Sequence, residues 1–447
     1  MTQNLSHLAE ALIHAATREG ADAADAVTVA SDSLSVDVRG GTLEQAERSE
    51  GVEIGLRVFV GRRSASVSAS DTREETIRTL AERAVAMAKL APEDPHAGLA
   101  DPDQLATETG ADALDLVDEI EPDPKVLEAT ALACEAAAMA VPGVAQMDGS
   151  SAQYGATRFH MAATNGFSAG YARTNHAASA VAISGEGLQM ERDYAFDSRT
   201  HHADMMSAEE IGRLAGERAV ALQNPSRPPT GAFPVVYDER VAGSLIGHLV
   251  QAINGSAIAR GASWLKDAMG AAVLPAGMDL TEEPHRARTG GSRPFDGEGL
   301  ATSDRVLVKD GVLQGWTLDL ATGRKLGLPS TANANRGVTG SPSPGLSNLR
   351  LTQGDRSRDD LLAEMGTGLL ITSLIGNSVN PNTGDYSRGA SGFWVENGEI
   401  VRPVNECTVA GNLRDMLATL TAANDARAHL SRVIPSLRVE GLTIAGG

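Results

Sequence analysis

Large rings are the first thing this sequence has little of. Phe, Trp and Tyr make up 3 % of its 447 residues, so alanine, valine and 47 glycines must fill space that rings usually take. Positive charge is short as well: 38 Lys and Arg stand against 58 Asp and Glu, a formal charge of −20. With a pI near 4.9, most of the surface repels a polyanion, which argues against nucleic acid as a partner. Cysteine is limited to Cys134 and Cys407. Two distant thiols build neither a disulfide framework nor a CxxC metal clip, and buried thiols in a reducing cytosol are expected. No run approaches the roughly 18 apolar residues of a membrane span, and no basic segment followed by an apolar core opens the chain. The expectation is a soluble, cytoplasmic protein that does not engage a membrane.

At about 150 residues per domain the length suggests two or three domains. Leu5, Leu8, Leu12, Ile13 and Ala16 recur at helical spacing, and Gly20 stops the run. Two short alternating strands are predicted at 26–29 and 33–38, then a turn at Gly40-Gly41. Strands follow at 51–60 and 64–69, and then a helix through Leu80, Ala84, Met87 and Leu90, with Asp71 and Glu74 read as a capping box. Residues 91–125, rich in Pro, Asp and Gly, read as an acidic surface excursion. A helix from Lys125 to about Val141 leads into strands around 150–164 and 177–186, with Asn165-Gly166 as a hairpin signal. Helix plus meander thus occurs twice, which is an α+β pattern with helices packed on an antiparallel sheet. A helix at 208–223 ends in Asn224-Pro225-Ser226-Arg227-Pro228-Pro229. The expected division is therefore an N-terminal α+β domain over 1–224, a linker at 225–231 and a second domain over 232–447. The linker could serve as the hinge of a lid, although no residue demands motion. The second domain shows short strands with glycine turns, a helical stretch at 239–259, a hairpin about Lys309-Asp310-Gly311, a buried strand at 369–375, a hairpin at 393–401 and a helix over 412–423. Such a pattern fits a β-rich, barrel-like domain with a few helices.

The second half also carries Leu318-Asp319-Leu320-Ala321-Thr322-Gly323-Arg324, Ser330-Thr331-Ala332-Asn333-Ala334, Pro344-Gly345, Asn382-Thr383-Gly384-Asp385-Tyr386-Ser387-Arg388-Gly389 and Thr408-Val409-Ala410-Gly411-Asn412-Leu413. Together with Arg39-Gly40-Gly41-Thr42-Leu43-Glu44 and Gly55-Leu56-Arg57-Val58, this series resembles the TldD/PmbA family of metalloproteases, and its order resembles the PmbA (TldE) branch. The resemblance implies an N-terminal α+β region and a C-terminal β-rich domain. It also implies a heterodimer in which a TldD-like catalytic subunit holds the zinc. Such a complex acts in proteolysis of small peptides or unfolded polypeptides, including maturation of a microcin precursor and degradation of an antitoxin.

The TldD branch places ligands on a helix as His-Glu-x-x-x-His, two imidazoles about one turn apart with a glutamate as general base. The corresponding stretch here reads Gly243-Ser244-Leu245-Ile246-Gly247-His248. Glycine offers no ligand, a serine hydroxyl is no base at neutral pH, and one imidazole does not hold zinc unaided. No catalytic residue and no metal are therefore expected in this chain, and no cofactor of its own. Cys407 and the pairs His201-His202 and His160 with His176 do not make a convincing substitute. The loop with Asn382, Gly384, Asp385, Tyr386, Ser387 and Arg388 is the candidate for gripping an extended peptide, the plain alternative being a tight turn with an Asp385–Arg388 surface ion pair. Two functions follow: a non-catalytic subunit that supports or gates a TldD-like partner, or a stand-alone homodimeric peptide-binding or chaperone-like module without hydrolysis. The resemblance leaves a homodimer through the same surface open for the isolated chain.

Overall fold

The computed structural model describes residues 4–446. The first half contains helices α1 (Leu5–Arg18), α2 (Glu74–Leu90), α3 (Pro124–Met139) and α4 (Ala208–Ala221). Its strands are β1 (Ala23–Arg39), β2 (Thr42–Val60), β3 (Arg63–Ala69), β4 (Val144–Ala163), β5 (Ser168–Ser184) and β6 (Glu191–Arg199). They form one antiparallel six-stranded sheet in the order β3-β2-β1-β4-β5-β6. The predicted repetition is realised: helix, three-stranded meander, helix occurs twice, joined where β1 pairs with β4.

Strand alternation assigns the two faces of this sheet. Ala24, Ala26, Leu34, Val36 and Val38 of β1 face the helices, together with Ala178, Ala180 and Ala182 of β5. Alanine lets helix and sheet approach closely. The two helices also lie close to each other, since a Cβ at Gly212 of α4 would overlap the carbonyl of Cys134 on α3. Val27, Phe159, Met161 and Tyr171 point the other way and meet Phe295 from the second half. Most of the buried rings of this half gather on the face opposite the helices, Tyr154 beside Leu127 of α3 being an exception.

The strands expected at 26–29 and 33–38 are in fact one continuous 17-residue strand, because the intervening polar residues keep their ladder bonds to both β2 and β4. Asp71 does not cap α2. The cap position is Arg73, with no side-chain cap bond, and Asp71 instead accepts from the Arg73 amide and the Thr76 hydroxyl. The segment 91–123 has two single 3-10 turns and no longer element, and it threads back against the body. Leu114 and Leu116 are buried, and Leu105 bridges to Leu300.

The second half runs β7 (Gly231–Tyr237), α5 (Glu239–Ala252), α6 (Gly255–Ala259), β8 (Leu280–Glu282), β9 (Arg305–Lys309), β10 (Val312–Leu313) and α7 (Leu320–Leu326). It continues with β11 (Ala334–Asn335), β12 (Ser343–Pro344), β13 (Leu349–Leu351), α8 (Arg358–Met365), β14 (Gly368–Val379), β15 (Asp385–Glu396) and β16 (Glu399–Asn412). Last come α9 (Leu413–Ala418), β17 (Thr421–Ala422), β18 (Arg432–Val433) and β19 (Leu437–Ala445). The order β16-β15-β14-β7-β19 closes on itself through pairing of β16 with β19, which makes a five-stranded barrel with β17 added beside β19. A smaller sheet, β10-β9-β8-β13-β18, stands beside it. The helix expected over 412–423 is shorter: Asn412 caps it, and Thr421 and Ala422 leave it to pair with β19.

Candidate functional site

Helix α5 begins at Asp238, whose carboxylate accepts from the Arg240 amide. Its apolar residues Ala242, Leu245, Ile246, Leu249 and Ala252 fall at helical spacing and sink into the barrel core. His248 lies on the same buried stripe and is 6 % exposed. Its ring meets Tyr386 of β15 edge to face, with centroids 5.8 Å apart. Its Nε2 has no hydrogen-bond partner. Burial, and then the Arg388 guanidinium, lower the imidazole's pKa and hold it neutral. The Tyr386 hydroxyl stands 3.4 Å from that of Tyr237, and burial raises the pKa of both phenols.

Ser244 lies one helical turn before His248, while Gly243 faces away from it. A Cβ at Gly243 would meet only open space. The Ser244 hydroxyl donates to the Val241 carbonyl at 2.7 Å and lies 3.5 Å from Arg388. Arg388 spends its Nε on the Gly376 carbonyl at 2.7 Å. The group around His248 therefore holds one neutral imidazole, two protonated phenols, a hydroxyl and a cation, but no carboxylate. Zinc asks for three or more protein donors, with thiolate, imidazole or carboxylate among them. This donor set does not fit zinc, and a guanidinium beside it adds repulsion. Among the described residues no three His, Cys, Asp or Glu side chains converge on a common point.

The remaining candidates are dispersed. Cys407 is buried, with its thiol pKa raised by burial and its Sγ on the Ala390 carbonyl. Cys134 is buried too, with its pKa pushed up to about 12. His160 bonds Ser168, whereas His176 pairs with Asp118 at 3.2 Å and approaches the ring of His202, so the first two do not meet across their hairpin. His201 turns instead to the carbonyl of Asp115.

The stretch 385–389, read as a loop, is ladder-paired strand, with Asp385 opposite Asn412 and Gly389 opposite Thr408. Strand alternation then separates its side chains. Tyr386 is buried against the barrel core, whereas Asp385 is exposed and held by Thr383 and Asn412. No Asp385–Arg388 ion pair forms; the two residues are directed to different partners. The turn proper is 380–384, where Gly384 takes a φ of +82° beside the Trp264 ring and Asn382 bonds the Asn380 side chain. Ser387 pairs in register with Ala410. Of the residues singled out from sequence, the structure brings together Ser244, His248, Tyr386 and Arg388, and leaves Asn382 and Asp385 apart.

Ser244 and Arg388 also line an open cleft of about 540 Å³ between β6 and the barrel, with Asp193, Arg240 and Thr372. Arg240 bridges its walls, bonding Asp193 at 3.1 Å and Asp238 at 3.2 Å. Sequence reasoning missed Tyr237, Asp193 and Arg240. An Asp-Glu-Arg sequence at a helix start looks like ordinary capping.

The comparisons with known proteins agree with this architecture. Family models for the PmbA/TldA metallopeptidases match along the chain: domain 1 over residues 24–88, the central domain over 115–223 and the C-terminal domain over 230–446. The chain is 36 % identical to Metalloprotease PmbA of Escherichia coli O157:H7 over 430 residues, covering 95 % of this chain and 92 % of that one. It is 35 % identical to the Metalloprotease PmbA homolog of Haemophilus influenzae, covering 99 % and 96 % of the two chains. Among solved structures, TldE from Thermococcus kodakarensis superposes with a TM-score of 0.83 at 19 % identity, covering 98 % of this chain and 100 % of that one, a likeness of fold. The chain belongs to the PmbA/TldD metallopeptidase family.

Proposed function

We propose that this chain is the PmbA/TldE-type, non-catalytic subunit of a two-chain metalloprotease. It would pair with a TldD-like chain that carries the zinc, and act on small peptides or unfolded polypeptides. The observation that supports this reading is the make-up of α5. Gly243 and Ser244 stand where the metal-bearing branch has its first imidazole and its glutamate, and His248 faces Tyr386 and Arg388 in place of further ligands. Its remaining contribution is then to shape and line the peptide chamber. Arg388, Arg240 and the Thr372 hydroxyl give the cleft donors for peptide carbonyls, and Ser244, its own proton on Val241, adds an acceptor.

The test is reconstitution. The isolated protein should contain negligible zinc by elemental analysis and hydrolyse no unfolded polypeptide. Mixing with a TldD-like chain should yield a defined complex by light scattering, with zinc and hydrolysis both gained. Absence of any complex would favour the stand-alone homodimeric peptide binder. One tightly held zinc per isolated chain would overturn both readings.

A further inference from the structure

On the sheet face turned away from the helices lies an open cavity of about 430 Å³, between β1, β4 and β5 and the segments around 291–297 and 334–347. Its apolar wall is made of rings, in a chain with few to spend. Phe159 and Tyr171 sit opposite each other in the β4–β5 register, 5.6 Å apart, and Phe295 packs edge-on against Tyr171 at 5.5 Å. The polar wall carries Arg173 and Arg293. Among the described residues neither lies within ion-pair distance of a carboxylate, although Asp296 and Arg293 attract each other at longer range. Arg173 donates to the carbonyls of Gly290 and Ser292 and lies over the Tyr171 ring. Arg293, 9 % exposed, donates to the Ala334 and Gly345 carbonyls and the Asn335 side chain, and its Nε has no partner.

Two other charges border the cavity, and both are already committed. Arg336 pairs with Asp25 at 2.6 Å. The Asp296 carboxylate accepts three backbone amides, from Glu298, Leu300 and Ala334, at 2.9 to 3.0 Å, and shares no hydrogen bond with Arg293. In a molecule of charge −20, two guanidiniums left without a salt bridge beside a ring-lined cavity mark a place prepared for an anion on an apolar group.

From this we infer that the cavity binds the C-terminal end of a peptide, its free carboxylate on Arg173 and Arg293 and its last, apolar side chain against Phe159, Tyr171 and Phe295. The inference rests on the peptide reading above, since a chamber that handles peptide ends would have use for such a site.

The test needs only the full chain and a fluorescein-labelled tripeptide ending in phenylalanine, supplied as free acid and as C-terminal amide. Fluorescence anisotropy should show binding of the acid, and amidation should weaken it about tenfold or more, the loss expected for a charge-assisted contact. Arg173→Gln should weaken binding of the acid by a similar factor, and Arg173→Lys should restore part of it, both with melting temperatures close to that of the parent. Equal affinity for acid and amide, no effect of Arg173→Gln, or no binding at all would overturn the site. Those results leave the reconstitution experiment untouched, because complex formation and hydrolysis with a TldD-like chain are read without this ligand.

Discussion

At the residue scale the seam between the two halves is written in buried charge. Asp25 of β1 sits between Arg57 of β2 and Arg336, all three nearly inaccessible to water. Burial pushes the Asp25 carboxyl up, but Arg336 and Arg57 together pull it below its ordinary value. A depressed carboxyl contributes stability above its unfolded pKa, which is lost as pH falls through the folded one. Asp25→Asn would leave two buried guanidiniums facing a neutral amide. We expect a loss of roughly 3–5 kcal/mol in urea unfolding at neutral pH, with the gap to the parent narrowing below about pH 4. Glu298 has the opposite sign. Burial, and then Asp296, push it up to about 8, while it accepts the Leu320 amide at 2.8 Å. Between the usual glutamate range and about 8 the folded protein holds a proton that the unfolded chain has released, so this group's contribution falls as pH rises through that window. Glu298→Gln keeps an acceptor for Leu320 and cannot ionise. Its melting temperature should fall less than the parent's between pH 6 and 9, and parallel curves would refute the assignment.

At the element scale, α5 carries two glycines in its interior, Gly243 and Gly247, where alanine is the better helix former. No neighbour stands near Gly243, so packing does not require its smallness. Gly243→Ala should raise stability by about 0.5–1 kcal/mol, read by urea unfolding. A loss would show that this position contacts something the folded chain does not display. Elements were also where sequence reading served best. The helix–meander–helix repeat was legible because alternation and helical spacing are strong over long stretches, and Asn165-Gly166 set its hairpin. The strand at 385–389 was not legible, because Gly-Asp-Tyr-Ser-Arg-Gly has turn composition and only pairing to β16 makes it extended. The β1 break was illusory for the same reason. Ser31, Asp32 and Ser33 look like a turn, yet a strand flanked on both sides tolerates them. Of the candidate site, that Gly243 and Ser244 offer no imidazole or carboxylate is legible directly from residue types. The ring-and-arginine cavity could not, since it joins β4 and β5 to a segment more than a hundred residues away.

At the scale of the whole molecule the two halves are fastened at several places. The segment between α4 and β7 is pinned to β16: the Ser226 amide donates to Pro403, Asn405 donates back to Ser226, and Arg227 pairs with Glu406 at 2.7 Å. Far from it, Gly55 of β2 lies so close to Val338 that a Cβ would overlap the Val338 carbonyl. Arg324 donates to the carbonyls of His96, Gly98 and Leu99. A lid hinged at 224–231 would have to break these contacts, so the seam is expected to stay closed in the resting protein. Gly55→Ala should force Val338 away and loosen it. Hydrogen exchange at the Ser226 and Asn405 backbone amides, which bond across that seam, should then quicken several-fold relative to the parent, under conditions where the folded fraction is unchanged. An unchanged rate would mean that the two halves are held independently of this contact.

The closing of the barrel has a consequence for how the protein is made. The strand that completes the ring, β19, comes from residues 437–445 and slots between β7 and β16, which are synthesised earlier. Until residue 445 has cleared the ribosomal exit tunnel, β7 and β16 present two bare rims to solvent. A nascent chain stalled anywhere before that point would be a client for chaperones, however well its first six strands had already folded.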